Sequence, residues 1–251
     1  MNAEMLRASA TPDKACRYAI DNVTKRWRRK KALEPIIMTS AFYAMDYACH
    51  VIEGRWPEAE PIIITNPCAA FEYARNVIKG RWPIGEPIIL TDPARSVLYA
   101  EYVIGHRWLD AEPIIMTLEP RRGENIQRYA KEVMKGRWLE AESNLAKDAE
   151  YSYIYAREVI KGRFHEAEPT IKANTRYAYQ YARDCIKGRW EDPLVELRIL
   201  EYGSFHIRHQ PSEYALHIAK MQPNALKAEV EARLADLLPK DNYDFTGTES
   251  E

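Results

Sequence analysis

Long apolar runs are missing from this 251-residue chain. No stretch approaches the roughly 20 consecutive apolar residues of a membrane span. The opening Met1-Asn2-Ala3-Glu4-Met5 lacks the charged-then-apolar layout of a signal peptide. Cysteine is scarce: Cys16, Cys49, Cys68 and Cys185 lie far apart with no Cys-x-x-Cys spacing. That argues against disulfides and zinc and for a reducing cytoplasm. Catalytic signatures are equally thin. There is no glycine-rich phosphate loop, no Gly-x-Ser-x-Gly and no Cys/His pair in a recognisable context. His206, His209 and His217 are close in sequence, but no cysteine or His-Glu-x-x-His pattern joins them as metal ligands. The expectation is a non-enzymatic protein with no cofactor, no metal and no membrane contact.

What the chain has in abundance is repetition. The stretch Tyr73-Ala74-Arg75-Asn76-Val77-Ile78-Lys79-Gly80-Arg81-Trp82 belongs to a series of seven edited copies. They open at Tyr18, Tyr47, Tyr73, Tyr99, Tyr129, Tyr155 and Tyr181, spaced 29, 26, 26, 30, 26 and 26 residues apart. A fixed period of this size marks an architecture in which each unit buries its apolar face on its neighbours.

One copy can be read as physics. Seven residues before the tyrosine lie Thr11, Ser40, Asn66, Asp92, Asp148 and Asn174, whose side-chain oxygens suit a helix N-cap. Pro12, Pro67 and Pro93 follow three of these caps, at the first helical position where a missing N–H costs nothing. The fifth copy has Arg122 in the cap slot and an insertion around Pro120-Arg121-Arg122-Gly123, so its helix is expected to begin nearer Glu124 or Asn125. Ala70, Tyr73, Ala74, Val77 and Ile78 keep the spacing of one helical face. Gly54, Gly80, Gly136, Gly162 and Gly188 then stand where a left-handed residue would end the helix. A helix of about 12–14 residues follows from this spacing. After Arg-Trp comes Glu-Ala-Glu-Pro-Ile-Ile or a relative, as in residues 58–63, which reads as a second, short helix; Pro57 and Pro61 compete for its first turn. The fold class is therefore all-α: an α-solenoid of about seven 26–30-residue units, each a long helix, a tight turn and a short helix. A C-terminal capping helix is expected to close it.

The pattern Tyr-Ala-x-x-Val-Ile-x-Gly-Arg-Trp-x-Glu-Ala-Glu-Pro-x-Ile resembles a short tandem repeat found in many uncharacterised proteins of tailed bacteriophages. The resemblance covers residues 11–193. It implies a viral or virus-derived protein working in the cytoplasm of a host bacterial cell, and it carries no family-wide activity. The sixth copy departs with Phe164 in the tryptophan slot, and the fifth replaces Pro-Ile with Ser143-Asn144, where stacking is expected to be less regular.

Two readings compete for the recurrent pairs Arg26-Trp27, Arg55-Trp56, Arg81-Trp82, Arg107-Trp108, Arg137-Trp138 and Arg189-Trp190. Exposed, they would form a ladder of stacking platforms for single-stranded nucleic acid. Buried, each Trp would fill the core while its Arg bonds helix-end carbonyls or the glutamate four residues after the Trp: Glu60, Glu86, Glu112, Glu142 or Glu168. We favour the buried reading. A second candidate is a basic track along the long helices, formed by Arg75, Lys79, Lys131, Lys135, Arg157, Lys161, Arg183 and Lys187, with Arg28, Arg29, Lys30 and Lys31 as an N-terminal arm. Glu132, Glu158 and Asp184, three residues before Lys135, Lys161 and Lys187, offer ordinary ion pairs instead. Glu101 and Gly105 interrupt the track in the fourth copy.

Residues that differ between copies are the better candidates for recognition. Tyr151, Tyr153, Arg157, Arg176, Tyr177, Tyr179 and Arg183 form the preferred partner-binding patch, since Tyr and Arg dominate interaction hot spots. The expected task is binding of a host or viral protein, with inhibition of a host defence factor as one form of it. The alternatives are single-stranded nucleic acid on the basic track and a small anionic nucleotide held between units. Residues 1–31 carry nine Lys/Arg against three acids, and residues 225–251 carry seven acids against three bases, which offers self-association through opposite ends. The domain reading is an N-terminal segment 1–10, a solenoid 11–193, a degenerate repeat and cap 194–238, and an acidic tail 239–251.

Overall fold

The computed structural model describes residues 10–21, 31–117, 121–196, 198, 199, 228 and 232. The N-terminal arm Arg28, Arg29 and Lys30, the pair Arg26-Trp27, the three histidines after residue 205, the capping helix apart from residues 228 and 232, and the acidic tail lie outside them. The protein is an all-α helical-repeat solenoid, and no strand occurs among the described residues. It divides into two compact units, residues 1–144 and 145–251. The division falls beside Ser143-Asn144. There the tail loses its proline and the connecting helix lengthens to Leu139–Leu145, against four residues in Glu60–Ile63 and Glu86–Ile89.

In the first unit the helices Pro12–Asp21, Ala41–Tyr47, Pro67–Tyr73, Pro93–Tyr99 and Arg122–Arg128 pack each on the next. The short helices Glu60–Ile63, Glu86–Ile89 and Glu112–Thr117 each touch the long helix on either side. In the second unit Ala149–Tyr155 packs on Thr175–Tyr181, with Glu168–Ala173 against both. The core is built from the repeat's own positions: Tyr47, Tyr73, Tyr99 and Tyr129 in one unit and Tyr155 and Tyr181 in the other are fully buried.

The caps form as their chemistry requires. Asn66, Asp92, Asp148 and Asn174 accept from the backbone N–H three residues on, as does the Thr11 hydroxyl. Ser40 has the extended cap backbone but makes no side-chain cap bond. In the short helices Glu60 leads and Pro61 follows it, leaving Pro57 in the preceding turn. The fifth long helix starts at Arg122, two or three residues earlier than expected, because Arg121 takes a left-handed conformation (φ 67°) and turns the chain into it.

Two expectations about the long helix need correcting. Its final turn is a π-turn: Ala48–Ile52, Ala74–Ile78, Ala100–Ile104, Tyr129–Met134, Ala156–Ile160 and Ala182–Ile186. In the third copy Ala70, Tyr73 and Ala74 are buried while Val77 and Ile78 are only half-buried, whereas Val51, Val133 and Cys185, in the slot of Val77, are buried. The left-handed stop is also one residue early. It falls on Glu53, Lys79, Lys135, Lys161 and Lys187, with φ between 54° and 58°, and on the glycine only at Gly105 (φ 75°). Both that residue and the following glycine direct their N–H groups at one carbonyl, as Lys79 and Gly80 do at Ala74. A Cβ on Gly54, Gly80 or Gly162 would meet nothing within 4 Å.

Candidate functional site

The recurrent arginine is committed to a glutamate of its own copy. In the first unit Arg55 grips Glu60 with Nε and Nη2, both at 3.0 Å, and Arg81 grips Glu86 the same way at 2.9 Å. Arg107–Glu112 and Arg137–Glu142 repeat this fork at 2.7–2.8 Å. In the second unit Arg163 holds Glu168 at 2.8 and 3.0 Å. Such two-pronged charged bonds are the strong, geometrically specific kind. Bonding to the glutamate raises the guanidinium pKa above its ordinary value in Arg55, Arg81, Arg107 and Arg163. Burial pushes the Glu168 carboxyl up, but Arg163, Tyr181 and His165 together outweigh burial and hold it below the usual carboxylate value.

A third partner completes a latch that the sequence did not disclose. The Tyr73 hydroxyl donates to Glu60 at 3.0 Å and accepts the Trp56 backbone N–H at 2.7 Å. Tyr99 does the same with Glu86 and Trp82, and Tyr129 with Glu112 and Trp108. In the second unit Tyr181 links Glu168 to the Phe164 backbone. Each ring then packs on the tryptophan that ends its own copy, as Tyr73 does on Trp82 with centroids 4.9 Å apart. Burial, together with the bond to Glu60, pushes the Tyr73 hydroxyl up to about 12, against the lowering effect of the Trp56 N–H. Trp190 closes the described series differently, its backbone N–H donating directly to Glu196.

These facts place Trp56, Trp82, Trp108, Trp138, Phe164 and Trp190 in the core, none more than 3% exposed. A stacking ladder for bases is thereby removed. Arg189 follows the same rule, bonding Glu196 at 3.4 Å.

The basic track differs from either expectation. Lys79, Lys135, Lys161 and Lys187 are exposed on the left-handed caps and make no ion pair among the described residues. The expected pairs with Glu132, Glu158 and Asp184 do not form, because the π-turn displaces residues three apart from one another. Those acids instead bond the residue before them: Lys131–Glu132 at 3.3 Å, Arg157–Glu158 at 2.7 Å, and Arg183–Asp184. Arg75 is exposed and stacks over Tyr102; Lys31 is exposed.

The Tyr/Arg patch of the second unit is drawn together around Asp184, which sequence reasoning missed. Tyr153 donates to Asp184 at 2.5 Å and accepts from Arg157 at 2.8 Å. It is buried at 3% exposure, so it supports the patch from beneath. Burial favours the neutral Asp184 carboxyl, but bonds from Arg183 and Tyr153 keep it below its ordinary value. Tyr177 stacks on Tyr153 at 6.2 Å, and the exposed Arg176 lies over Tyr177 at 5.6 Å. Tyr151, Tyr179 and Arg183 are half-buried at its margin.

The first unit presents features that no motif announced. Ile84, Leu109 and Leu139, one or two residues after the core tryptophans, are 61, 68 and 66% exposed. Leu109 and Leu139 could have been found from the alignment of copies, since their slot reads Pro57, Pro83, Leu109 and Leu139, and Ile84 stands one position later, where the other copies carry Glu58, Asp110 and Glu140. Buried thiols are held protonated: burial, with Asp46 nearby, pushes Cys16 up to about 12, and burial then Asp184 does the same to Cys185. Among the described residues no cluster of His, Cys, Asp or Glu would hold a metal ion, and no helix is long and apolar enough to cross a membrane.

Compared with protein-family models, curated proteins and solved structures, the chain matches none.

Proposed function

We propose that the chain is a non-enzymatic helical-repeat scaffold that binds a protein through side chains differing from copy to copy. One observation carries this reading. The residues that the copies share bond one another in the latch, and the exposed side chains without that commitment are the ones that differ from copy to copy. In the second unit those positions are Arg157, Arg176, Tyr177, Tyr179 and Arg183 around Asp184, a set rich in hot-spot residue types. Following the phage resemblance, the partner is a bacterial or viral protein, and blocking a host defence factor is the task we assign.

The test is affinity capture of the tagged chain from bacterial lysate, with and without nuclease, alongside an R176E/Y177A variant. A stoichiometric protein that survives nuclease and is lost with the variant supports the proposal. A protein retained by the variant overturns the patch, and recovery of nucleic acid alone overturns the scaffold reading.

Nucleic-acid binding keeps one favouring observation, the exposed Lys79, Lys135, Lys161 and Lys187, which make no ion pair among the described residues. It requires affinity that falls steeply with salt. Binding unchanged between low and high salt would remove it.

A further inference from the structure

The outer face of the first unit holds a second, separate arrangement, built from three successive copies. The Arg75 guanidinium lies 4.4 Å above the centroid of the Tyr102 ring. From the next copy Arg128 donates through Nη2 to the Tyr102 hydroxyl at 3.3 Å and through Nε to Glu101 at 2.8 Å. Tyr102 is nonetheless 48% exposed, and Arg75 has no hydrogen bond or ion pair among the described residues. Glu101 is turned to Arg128, and Glu72 accepts from Asn76 at 2.9 Å, so neither carboxylate answers Arg75. Lys79 adds a further exposed cation on the same helix end, with no ion pair among the described residues.

A guanidinium stacked on an aromatic face keeps its N–H edges directed outward in a fixed fork. Its conformational freedom is already restricted, so less is lost when a planar anion arrives. We infer that Arg75, Tyr102 and Arg128 form a recognition site for an acidic protein segment, one carboxylate meeting the Arg75 fork while a neighbouring apolar side chain covers Tyr102. A nucleic-acid backbone fits less well. It needs cations at successive steps, whereas here Glu101 and Gly105 occupy the track positions of the middle copy. The site is distinct from the Asp184 patch and stands whether or not that patch binds.

The experiment uses the full chain and three fluorescein-labelled probes: a synthetic Asp/Glu dodecapeptide with a central Phe, its Asn/Gln counterpart, and a thymidine oligonucleotide. Anisotropy is read at about 50 mM salt, where surface charges are weakly screened. The acidic peptide is expected to bind saturably and the amide counterpart not. Y102A and R75Q should each weaken the acidic peptide about tenfold, the loss of one charged, oriented contact. Both positions are exposed, so helicity and Tm should remain those of the parent chain. Three results overturn the inference: no saturable binding of the acidic peptide, equal affinity for the amide counterpart, or unchanged affinity in both variants. Tighter binding of the oligonucleotide than of the peptide also overturns it, in favour of the basic track.

Discussion

Replacing Tyr73 with Phe removes one oxygen and leaves everything else in place. The ring keeps its contact with Trp82, and Arg55 keeps both bonds to Glu60. Two hydrogen bonds disappear: the one accepted from the Trp56 N–H at 2.7 Å and the one donated to Glu60 at 3.0 Å. Trp56 is 1% exposed, so water does not replace the lost acceptor. A buried N–H left alone costs about 1–3 kcal/mol, and a bond to a charged group contributes about 1.5–3 kcal/mol. Because Glu60 retains its guanidinium, the sum is best placed at about 2–4 kcal/mol. Urea unfolding followed by circular dichroism measures it, with Y102F as the comparison because that hydroxyl is exposed. The comparison should stay within about 0.5 kcal/mol of the parent chain. Since a repeat array unfolds by units, the effect belongs to the first transition rather than to a single global one. A Tyr73→Phe protein as stable as the Y102F control would refute the latch as the joint between copies.

The tyrosines of the latch also set an alkaline limit. Burial raises Tyr73 and Tyr99 from 10 to about 12 in the folded chain. Folding therefore favours the protonated hydroxyl, and this contribution is complete below pH 10 and lost as pH rises towards 12. Melting temperature should be flat from pH 8 to 9.5 and fall above 10, with a group of tyrosines ionising late in ultraviolet absorbance; uniform ionisation near 10 would contradict it. Lys79→Gly should stabilise the chain by about 0.5–1 kcal/mol, because a left-handed side chain costs about 1–2 kcal/mol and the extra freedom of unfolded glycine offsets part of the gain. Equal or lower stability in urea would show that Lys79 is not strained. Gly85→Ala should destabilise by about 1–3 kcal/mol, since its Cβ would collide with Cε3 of the Trp82 ring and the neighbouring core is closely packed. A Gly85→Ala protein as stable as its parent would mean that the Trp82 ring shifts freely.

The caps and the period were legible because they depend on local chemistry: a side-chain oxygen near a free N–H, and apolar residues at helical spacing. The π-turn was not, since a 3.6-residue period was assumed to run to the glycine. One clue to the stop was present. Where the fourth copy reverses the order to Gly105-His106, glycine occupies the slot held elsewhere by Glu53, Lys79, Lys135, Lys161 and Lys187, which identifies the left-handed position. The Arg–Glu fork was readable from spacing, whereas the tyrosine's role required knowing that its hydroxyl crosses to the preceding copy. Asp184 and Tyr102 were hidden for a related reason. Each gains its meaning from a residue at least 26 positions away, Tyr153 for one and Arg128 for the other.

A latch of this kind changes what variation in the sequence can mean. Arg, Glu and Tyr recur because removing one breaks the bonds that hold the buried carboxylate and hydroxyl, and Trp recurs because its ring fills the core; neither cost depends on which ligand the chain binds. Exposed positions on the same helices carry no such constraint. The slot holding Arg75 in the third copy holds Glu101 in the fourth and Lys131 in the fifth, while the cores of those copies are alike. Charge reversal at a position that leaves the core untouched is the pattern expected where the surface, and not the fold, is adapted to a partner. The informative substitutions are therefore the outward ones that break the repeat, and Arg75, Tyr102, Arg128, Arg176 and Tyr177 come first among them.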